Sequence, residues 1–236
     1  MGKNTAAHLT AFLTILIWGT TFIATKVLLR DFTPVEILFS RFTLGFLALS
    51  CVPGGIHFTT FRNELLFAGA GFSGVTLYFL FENIALQYTL VSNVGILVTI
   101  APFFTALLSR FFGKKEPLYP VFFIGFLLAL GGIALISFNG SVILKLNPAG
   151  DILAILAALV WAVYSIFMKR IGELGYPMIP ATRRVFFYGL LLMIPALFFM
   201  DFHPALRQML KPVNLFNFAY LGLGASALCF ATWNWS

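Results

Sequence analysis

Hydrophobic residues along this chain form long uninterrupted blocks, separated by short intervals that contain most of the charges. A helix of about twenty apolar residues is long enough to cross a hydrocarbon core roughly 30 Å thick. A transmembrane β-barrel would instead need strands of about ten residues with alternating polarity. The pattern therefore predicts eight transmembrane helices, at 8–28, 34–52, 64–86, 90–112, 118–138, 151–169, 179–200 and 214–235.

The composition indicates the same class of protein. Hydrophobic residues make up 60% of the chain and charged residues only 10%, whereas soluble domains contain about 25% charged residues. Turn-forming residues separate the blocks, as at Pro34, Asn147 and Pro177. We therefore predict an all-α polytopic membrane protein.

The distribution of lysine and arginine predicts the orientation, because cytoplasmic loops retain an excess of both residues. With the N-terminus in the cytoplasm, nine of them lie on the inner side and five on the outer side, and Arg41 lies within a helix. Loops that face anionic lipid then explain the net charge of +7, and no nucleic-acid partner is expected. We predict a multi-pass protein of the cytoplasmic cell membrane, with membrane lipid around it and a cytoplasmic N-terminus.

Two segments far apart in the chain have similar sequences. The strings "LIWGTTFIATK" at 16–26 and "LVWAVYSIFMK" at 159–169 share four identical residues, each pair separated by 143 positions. The same offset relates a proline in the next predicted helix of each segment, and it relates Arg41 to Arg184. An internal repeat therefore extends through two helices.

A third helix joins this repeat. The string "GVTLYFLFEN" at 74–83 aligns with "ASALCFATWN" at 225–234 at an offset of 151, with leucine, phenylalanine and asparagine in common. Helices 1–3 then correspond to helices 6–8, so one unit has five helices and the second copy is inserted upside down. This predicts an inverted repeat with one unit at 1–140 and a partial unit of three helices at 141–236. Chance similarity is the alternative, but it does not explain the shared lysine, proline and arginine.

Six segments occur in a characteristic order along the chain: "LIWGTTFIATK", "TPVEILFSRFTLGFLAL", "LYFLFENIALQYTLVSNVGILVTIAPFFTALLS", "GKKEP", "GFLLALGGIAL" and "AALVWAVYSIFMKR". In this order the chain resembles the EamA-type members of the drug/metabolite transporter superfamily over essentially its whole length. The resemblance implies a carrier of ten helices in two inverted five-helix halves, which moves small metabolites, often outward, through a central cavity. Eight of the expected ten helices are present, since residues 87–138 have no counterpart in the second half. We expect either a truncated chain or a partner, such as a second copy, that supplies the missing helices.

Ionisable residues inside apolar helices are the first candidates for a site, because they are costly in lipid and usually face a cavity or a partner. Glu82 lies in the third helix beside Asn83, and Tyr78 precedes it by one turn on the same face. A desolvated carboxylate suits either substrate binding or proton exchange, although Glu82 could instead be a structural partner of Arg41 or Lys26. Arg41 is a candidate for charge or proton coupling, and snorkelling to the membrane surface is its alternative.

Aromatic residues in the middle of helices are the second group of candidates. Trp18 and Trp161 occupy equivalent positions of the repeat, away from the membrane interfaces where most tryptophans lie. Together with Tyr164 and the hydroxyl of Thr21, they are predicted to line a substrate cavity. Packing between the halves is the alternative for the tryptophans, and a hydrogen bond to its own helix is the alternative for the threonine.

These observations predict a secondary transporter, specifically an efflux carrier for small metabolites such as amino acids or drugs, with alternating access between the repeats. Proton coupling and passive facilitation both remain open. A non-transporting scaffold or transporter subunit is one alternative. An intramembrane enzyme is another, although only Glu82, Arg41 and Tyr78 would be available for its chemistry. We expect no enzyme, no cofactor and no metal site. The GxGxxG-like string at 69–74 lies inside an apolar helix rather than after a strand, which argues against dinucleotide binding. The sequence also contains no HExxH or GxSxG motif.

Overall fold

The computed structural model of this protein describes residues 3–54, 58–112, 119–137 and 147–235, and all regular structure within these ranges is helical. The helices are α1 (Lys3–Leu28), α2 (Pro34–Ser50), α3 (Phe61–Gly71), α4 (Tyr78–Tyr88), α5 (Val91–Val98), α6 (Ala101–Phe112), α7 (Pro120–Ser137), α8 (Pro148–Glu173), α9 (Met178–Phe199), α10 (Leu206–Met209), α11 (Pro212–Ala219) and α12 (Cys229–Trp235). Two π-helical segments, Phe72–Leu77 and Tyr220–Leu228, connect α3 to α4 and α11 to α12 without a break. The prediction of an all-helical protein is confirmed.

Six helical stretches within the described residues are long and apolar enough to cross a membrane. They are Ala7–Leu28, Phe61–Tyr88, Val91–Phe111, Pro148–Glu173, Met178–Phe199 and Pro212–Trp233. Helix α2 has 17 residues, and the apolar part of α7 is also short. The multi-pass architecture is therefore confirmed, whereas the number of eight spans stays a prediction. The "GKKEP" segment and several of the basic residues used for the orientation lie outside the described residues.

The start of α2 explains the position of Glu36, a carboxylate at the edge of an apolar helix. Thr33 and Glu36 form a capping box, in which the Thr33 amide donates to Glu36 Oε2 at 2.8 Å. The other carboxylate oxygen, Oε1, accepts from the His203 amide at 2.8 Å. Glu36 therefore ties the start of α2 to the loop that follows α9.

The predicted helix 90–112 is divided into α5 and α6. Proline has no amide hydrogen, and its ring clashes with the carbonyl one turn earlier in the helix. The interruption falls at Thr99 and Ile100, just before Pro102, where the Thr99 amide donates to Ile96 O at 3.1 Å. The helix is therefore broken locally, which leaves irregular backbone in the middle of an apolar stretch.

The two π-helical segments lie at equivalent positions of the repeat. Residues 72–77 shifted by 151 positions give 223–228, which fall inside Tyr220–Leu228. Helix α9 packs against the first π segment and α2 packs against the second. Since each predicted half supplies the helix that crosses the π segment of the other, this arrangement supports the proposed repeat.

Aromatic side chains fill the core where these helices meet. Phe42 contacts Phe79 and Phe186, with ring centroids 5.0 and 4.9 Å apart, and Phe230 contacts Phe186 at 5.2 Å. Most of these contacts are edge-to-face, the geometry that aromatic pairs prefer. The rings of Phe79 and Phe230 occupy equivalent positions of the repeat, 151 residues apart. The core therefore joins α2, α4, α9 and α12.

Candidate functional site

A cavity of about 570 Å³ lies near the middle of α1 and α2. Its wall is formed by residues of α1, α2, α4, α5, α6, α8 and α12. Six of the eight residues that the sequence singled out line it: Trp18, Thr21, Arg41, Tyr78, Glu82 and Trp161. Asn83 and Tyr164 do not. The irregular backbone between α5 and α6 contributes Thr99, and Pro102 follows it in the wall. The volume falls within the range of about 300–1,000 Å³ that is usual for small-molecule sites.

Three tryptophans and a tyrosine form much of the cavity wall. The rings of Trp18 and Trp161 are nearly perpendicular, with centroids 5.5 Å apart, and Trp233 lies 5.3 Å from Trp18. Tyr78 contacts Trp161 at 4.8 Å. The indole nitrogen of Trp18 donates to Ala225 O at 3.0 Å, which fixes the ring against the second π segment. Trp18 and Trp161, which align in the predicted repeat, are therefore in direct contact within the cavity wall.

Glu82 is buried, with 2% of its surface exposed. Its Oε1 atom has no hydrogen-bond partner among the described residues, and the carboxylate interacts with the hydroxyl of Tyr78. Lys26 donates to the backbone carbonyl of Leu86 instead. The structure therefore does not show the Lys26–Glu82 pair that the sequence left open.

Arg41 is fully buried, so its side chain is enclosed by protein and does not reach the surface of the molecule. Its Nε donates to Ser226 Oγ at 3.1 Å, and its guanidinium carbon lies 4.3 Å from the centre of the Phe79 ring. The terminal nitrogens Nη1 and Nη2 have no hydrogen-bond partner among the described residues. Arg41 and Glu82 attract each other electrostatically, but these terminal nitrogens do not donate to the carboxylate.

The hydroxyl of Thr21 is engaged within its own helix. It donates to Trp18 O at 2.7 Å, which is the common behaviour of threonine in a membrane helix. The hydroxyl hydrogen of Thr21 is therefore not available to a ligand in the cavity, although the oxygen can still accept a hydrogen bond.

Asn83 and Tyr164 lie behind the cavity and have structural contacts. Asn83 Nδ2 donates to Pro34 O at 3.2 Å, which connects α4 to the first residue of α2. Tyr164 packs closely against Gly74, where even a Cβ atom would lie within 2.2 Å of its ring. These two residues hold helices together at the back of the cavity wall.

Trp233 is one of the lining residues that the sequence analysis did not select, although its alignment with Glu82 could have indicated it. It occupies the position equivalent to Glu82 at the offset of 151, and both residues line the cavity. A carboxylate in one repeat thus corresponds to an indole in the other. Ser92 and Thr99 had no such signal, because their part of the first half has no counterpart in the sequence.

Arg184, the repeat counterpart of Arg41, lies outside the cavity and has an acidic partner. Its Nη1 is 3.6 Å from Glu64 Oε1, and its guanidinium carbon lies 4.5 Å from the centre of the Phe67 ring. Tyr188 donates its hydroxyl to the other oxygen of Glu64 at 2.7 Å. Both arginines therefore stack on a phenylalanine, but only Arg184 has a carboxylate within ion-pair distance.

Comparison with known proteins agrees with this architecture. The EamA-like transporter family matches residues 5–138 and 148–236. An uncharacterized transporter of Archaeoglobus fulgidus is 28% identical over 235 residues, which cover 98% of this chain and 79% of that protein. A protein of Streptantibioticus cattleyicolor, named as a probable terminal-alkyne amino-acid exporter, is 26% identical over 227 residues, which cover 95% of this chain and 74% of that protein.

A solved crystal structure shares the fold, with a TM-score of 0.74 at 20% identity over 99% of this chain and 79% of the other. The family match covers almost the whole chain, and the similar proteins are named as transporters rather than enzymes. The apolar helices and the family agree on a multi-pass membrane transporter. The chain belongs to the EamA-like transporter family.

Proposed function

We propose that this protein is a secondary transporter that exports small metabolites, such as amino acids or drugs, across the cell membrane, with its N-terminus in the cytoplasm. The observation that carries the proposal is the cavity in the middle of the helices, which is lined by one buried arginine and one buried glutamate. Charged groups at such a depth are costly in a membrane protein and mark substrate or ion pathways. The name of the Streptantibioticus relative, a probable amino-acid exporter, adds support for export of an amino acid.

We further propose alternating access between the two halves. Helix α2 crosses the π segment Tyr220–Leu228, and α9 crosses the π segment Phe72–Leu77, so the two crossings are related by the repeat. Inverted repeats allow two conformations of opposite access through rocking of one half against the other. The cavity lies beside these crossings, where such rocking would open it to one side and then to the other.

Glu82 is the proposed site of proton coupling. It is the buried carboxylate of the cavity, and its Oε1 atom has no hydrogen-bond partner among the described residues. A proton-coupled exporter needs a group that is protonated in one state and ionised in another, whereas a passive facilitator needs none. Glu82→Gln should therefore abolish the pH dependence of flux in a coupled exporter, whereas in a facilitator it should leave the pH dependence of flux unchanged.

Export is tested by the extracellular metabolites of cells that express the protein. We expect at least one small metabolite to accumulate outside these cells relative to cells with an empty vector. Glu82→Gln should reduce this accumulation, while Glu173→Gln, the same chemical change at an exposed position near the end of α8, should not. Membrane fractions show whether each variant is inserted equally well. If properly inserted protein causes no accumulation, a scaffold or subunit role replaces the exporter.

A partner subunit or a second copy stays part of the proposal because of the surface of α1. Several large apolar residues of α1 are exposed, among them Phe12 at 58% and Ile23 at 60%. Helix α8, its repeat counterpart, packs against α4, α5 and α6. Cross-linking of single cysteines placed on this face of α1 will show whether lipid or another polypeptide covers it.

A further inference from the structure

The cavity contains two charged side chains that the protein itself does not fully satisfy. The terminal nitrogens of Arg41 and the Oε1 atom of Glu82 are shielded from solvent and have no hydrogen-bond partner among the described residues. Leaving a buried polar atom unpaired costs about 1–3 kcal/mol, and more for a charged group. Such atoms are expected at a place where a ligand supplies the missing partners.

The guanidinium of Arg41 is held in a way that leaves both terminal nitrogens without a hydrogen-bond partner among the described residues. Ser226 accepts the hydrogen bond of Nε at 3.1 Å, and the Phe79 ring lies against the guanidinium at 4.3 Å. The two contacts fix the plane of the group but use neither Nη1 nor Nη2. Two parallel N–H groups on a fixed plane match the two oxygens of a carboxylate.

Glu82 provides the opposite charge in the same cavity. If the ligand carried only a carboxylate, Oε1 of Glu82 would remain without a partner. If it carried only an amine, Nη1 and Nη2 of Arg41 would remain without one. A ligand that bears both charges satisfies both side chains and brings no net charge into the membrane. The remaining wall is mostly apolar and includes Trp18, Trp161 and Trp233, which favours an apolar group on the same molecule.

We infer that the cavity binds a zwitterionic amino acid with an apolar side chain, its carboxylate at Arg41, its ammonium at Glu82 and its side chain among the three tryptophans. This inference rests on the proposed transport function and specifies its substrate class. A lipophilic cation would leave the terminal nitrogens of Arg41 without a partner. Because Nη1 and Nη2 are covered in this conformation, side chains of the wall rotate when the ligand carboxylate binds.

Tryptophan fluorescence of the purified chain in lipid nanodiscs measures binding without any need for transport. Trp18, Trp161 and Trp233 line the cavity, so a bound ligand changes the emission. The ligands are leucine, 3-methylbutylamine, which lacks the carboxylate, and 4-methylpentanoate, which lacks the amine. We expect leucine to bind at least about tenfold more tightly than either analogue, because each analogue leaves one buried charge unpaired.

The variants assign each charge to its residue. Arg41→Gln should abolish the preference for leucine over the amine, and Glu82→Gln should abolish the preference for leucine over the acid. Arg184→Gln is the matched control, since it removes the equivalent buried arginine outside the cavity and should leave both preferences unchanged. Ratios between ligands are compared within each variant, so a partial loss of folded protein does not change the result.

Three results would overturn the inference. The first is an amine or an acid that binds as tightly as leucine. The second is a preference that survives in Arg41→Gln and Glu82→Gln. The third is the absence of any response to leucine, methionine and phenylalanine. Leucine counterflow in proteoliposomes separates the two proposals: binding with these preferences but without counterflow would refute transport alone, whereas export of other compounds without amino-acid binding would refute the zwitterion site alone.

Discussion

Substitution of Gly71 or Gly222 by alanine tests whether the two helix crossings between the halves require a residue without a side chain. A Cβ atom on Gly71 would lie 2.6 Å from both the amide nitrogen of Gly189 and the carbonyl oxygen of Val185. A Cβ atom on Gly222 would lie 2.7 Å from the Cβ atom of Leu44. The two glycines are equivalent in the repeat, 151 positions apart. Small residues at helix crossings allow such close approach in membrane proteins.

The magnitude follows from these distances. Ordinary van der Waals contact begins at 3.4 Å, so at Gly71 the two helix backbones would have to separate by about 0.8 Å. Overpacking of this kind costs about 1–3 kcal/mol, and the higher helix propensity of alanine offsets about 1 kcal/mol of it. Because backbone atoms cannot rotate away, we expect Gly71→Ala to lower the free energy of unfolding by about 2 kcal/mol. Gly222→Ala should lower it by about 1 kcal/mol, because only one atom, Leu44 Cβ at 2.7 Å, is that close and the nearest backbone atom, Arg41 O, lies at 3.1 Å.

Unfolding with a denaturing detergent, followed by circular dichroism, measures both values. Gly125→Ala is the control, because nothing lies within 4 Å of a Cβ atom at that position in α7. There only the helix propensity acts, and the variant should be unchanged or up to about 1 kcal/mol more stable. If Gly71→Ala is as stable as Gly125→Ala, the close crossing of α3 and α9 does not exist as described.

Three further outcomes are expected. Trp18→Phe keeps an aromatic ring, although a smaller one, and removes the hydrogen bond to Ala225 O, so it should lower the free energy of unfolding by at least about 1 kcal/mol in the same detergent titration. Glu64→Gln removes the charged partner of buried Arg184 and should cost about 2 kcal/mol, whereas the double variant with Arg184→Gln should cost less than the sum of the two single variants. Asp31 lies outside the helical spans, and hydrogen bonds from Asn214 and Lys211 hold the pKa of its carboxyl below the ordinary value. Its contribution to stability is therefore present above about pH 4 and is lost as the pH falls through the lowered pKa. Asp31→Asn should therefore be less stable than the unaltered protein at pH 7, and the difference should vanish in acid.

The helical architecture was predictable because composition alone requires it in a membrane. Apolar blocks must satisfy their backbone polar groups internally, and a helix does so within one segment. The irregularity before Pro102 likewise has a local cause, because proline lacks the amide hydrogen that a continuous helix needs. The shared offset of 143 predicted that Trp18 and Trp161 have equivalent roles, and the structure places their rings 5.5 Å apart.

Other parts of the site could not be deduced from the sequence, because they depend on the rotation of each helix about its axis. Asn83 follows Glu82 directly, yet the two side chains point about 100° apart on a helix, and only Glu82 reaches the cavity. Tyr164 lies three residues after Trp161 and contacts its ring at 4.8 Å, but it packs behind the wall. Glu36 carried a charge near an apolar helix for a local reason, since it caps α2.

The difference between the two arginines is the strongest argument for where the function lies. The repeat gives both halves an arginine at the same position, and in both halves a phenylalanine ring lies against its guanidinium. Arg184 has Glu64 within ion-pair distance, as a structural charge should, whereas Arg41 keeps two terminal nitrogens without a hydrogen-bond partner among the described residues. If Arg41 served only to hold helices together, a carboxylate within hydrogen-bond reach would stabilise it in the same way, and Glu82 lies in the same cavity without accepting from those nitrogens. This arrangement supports the proposed site, in which one molecule with opposite charges binds both side chains.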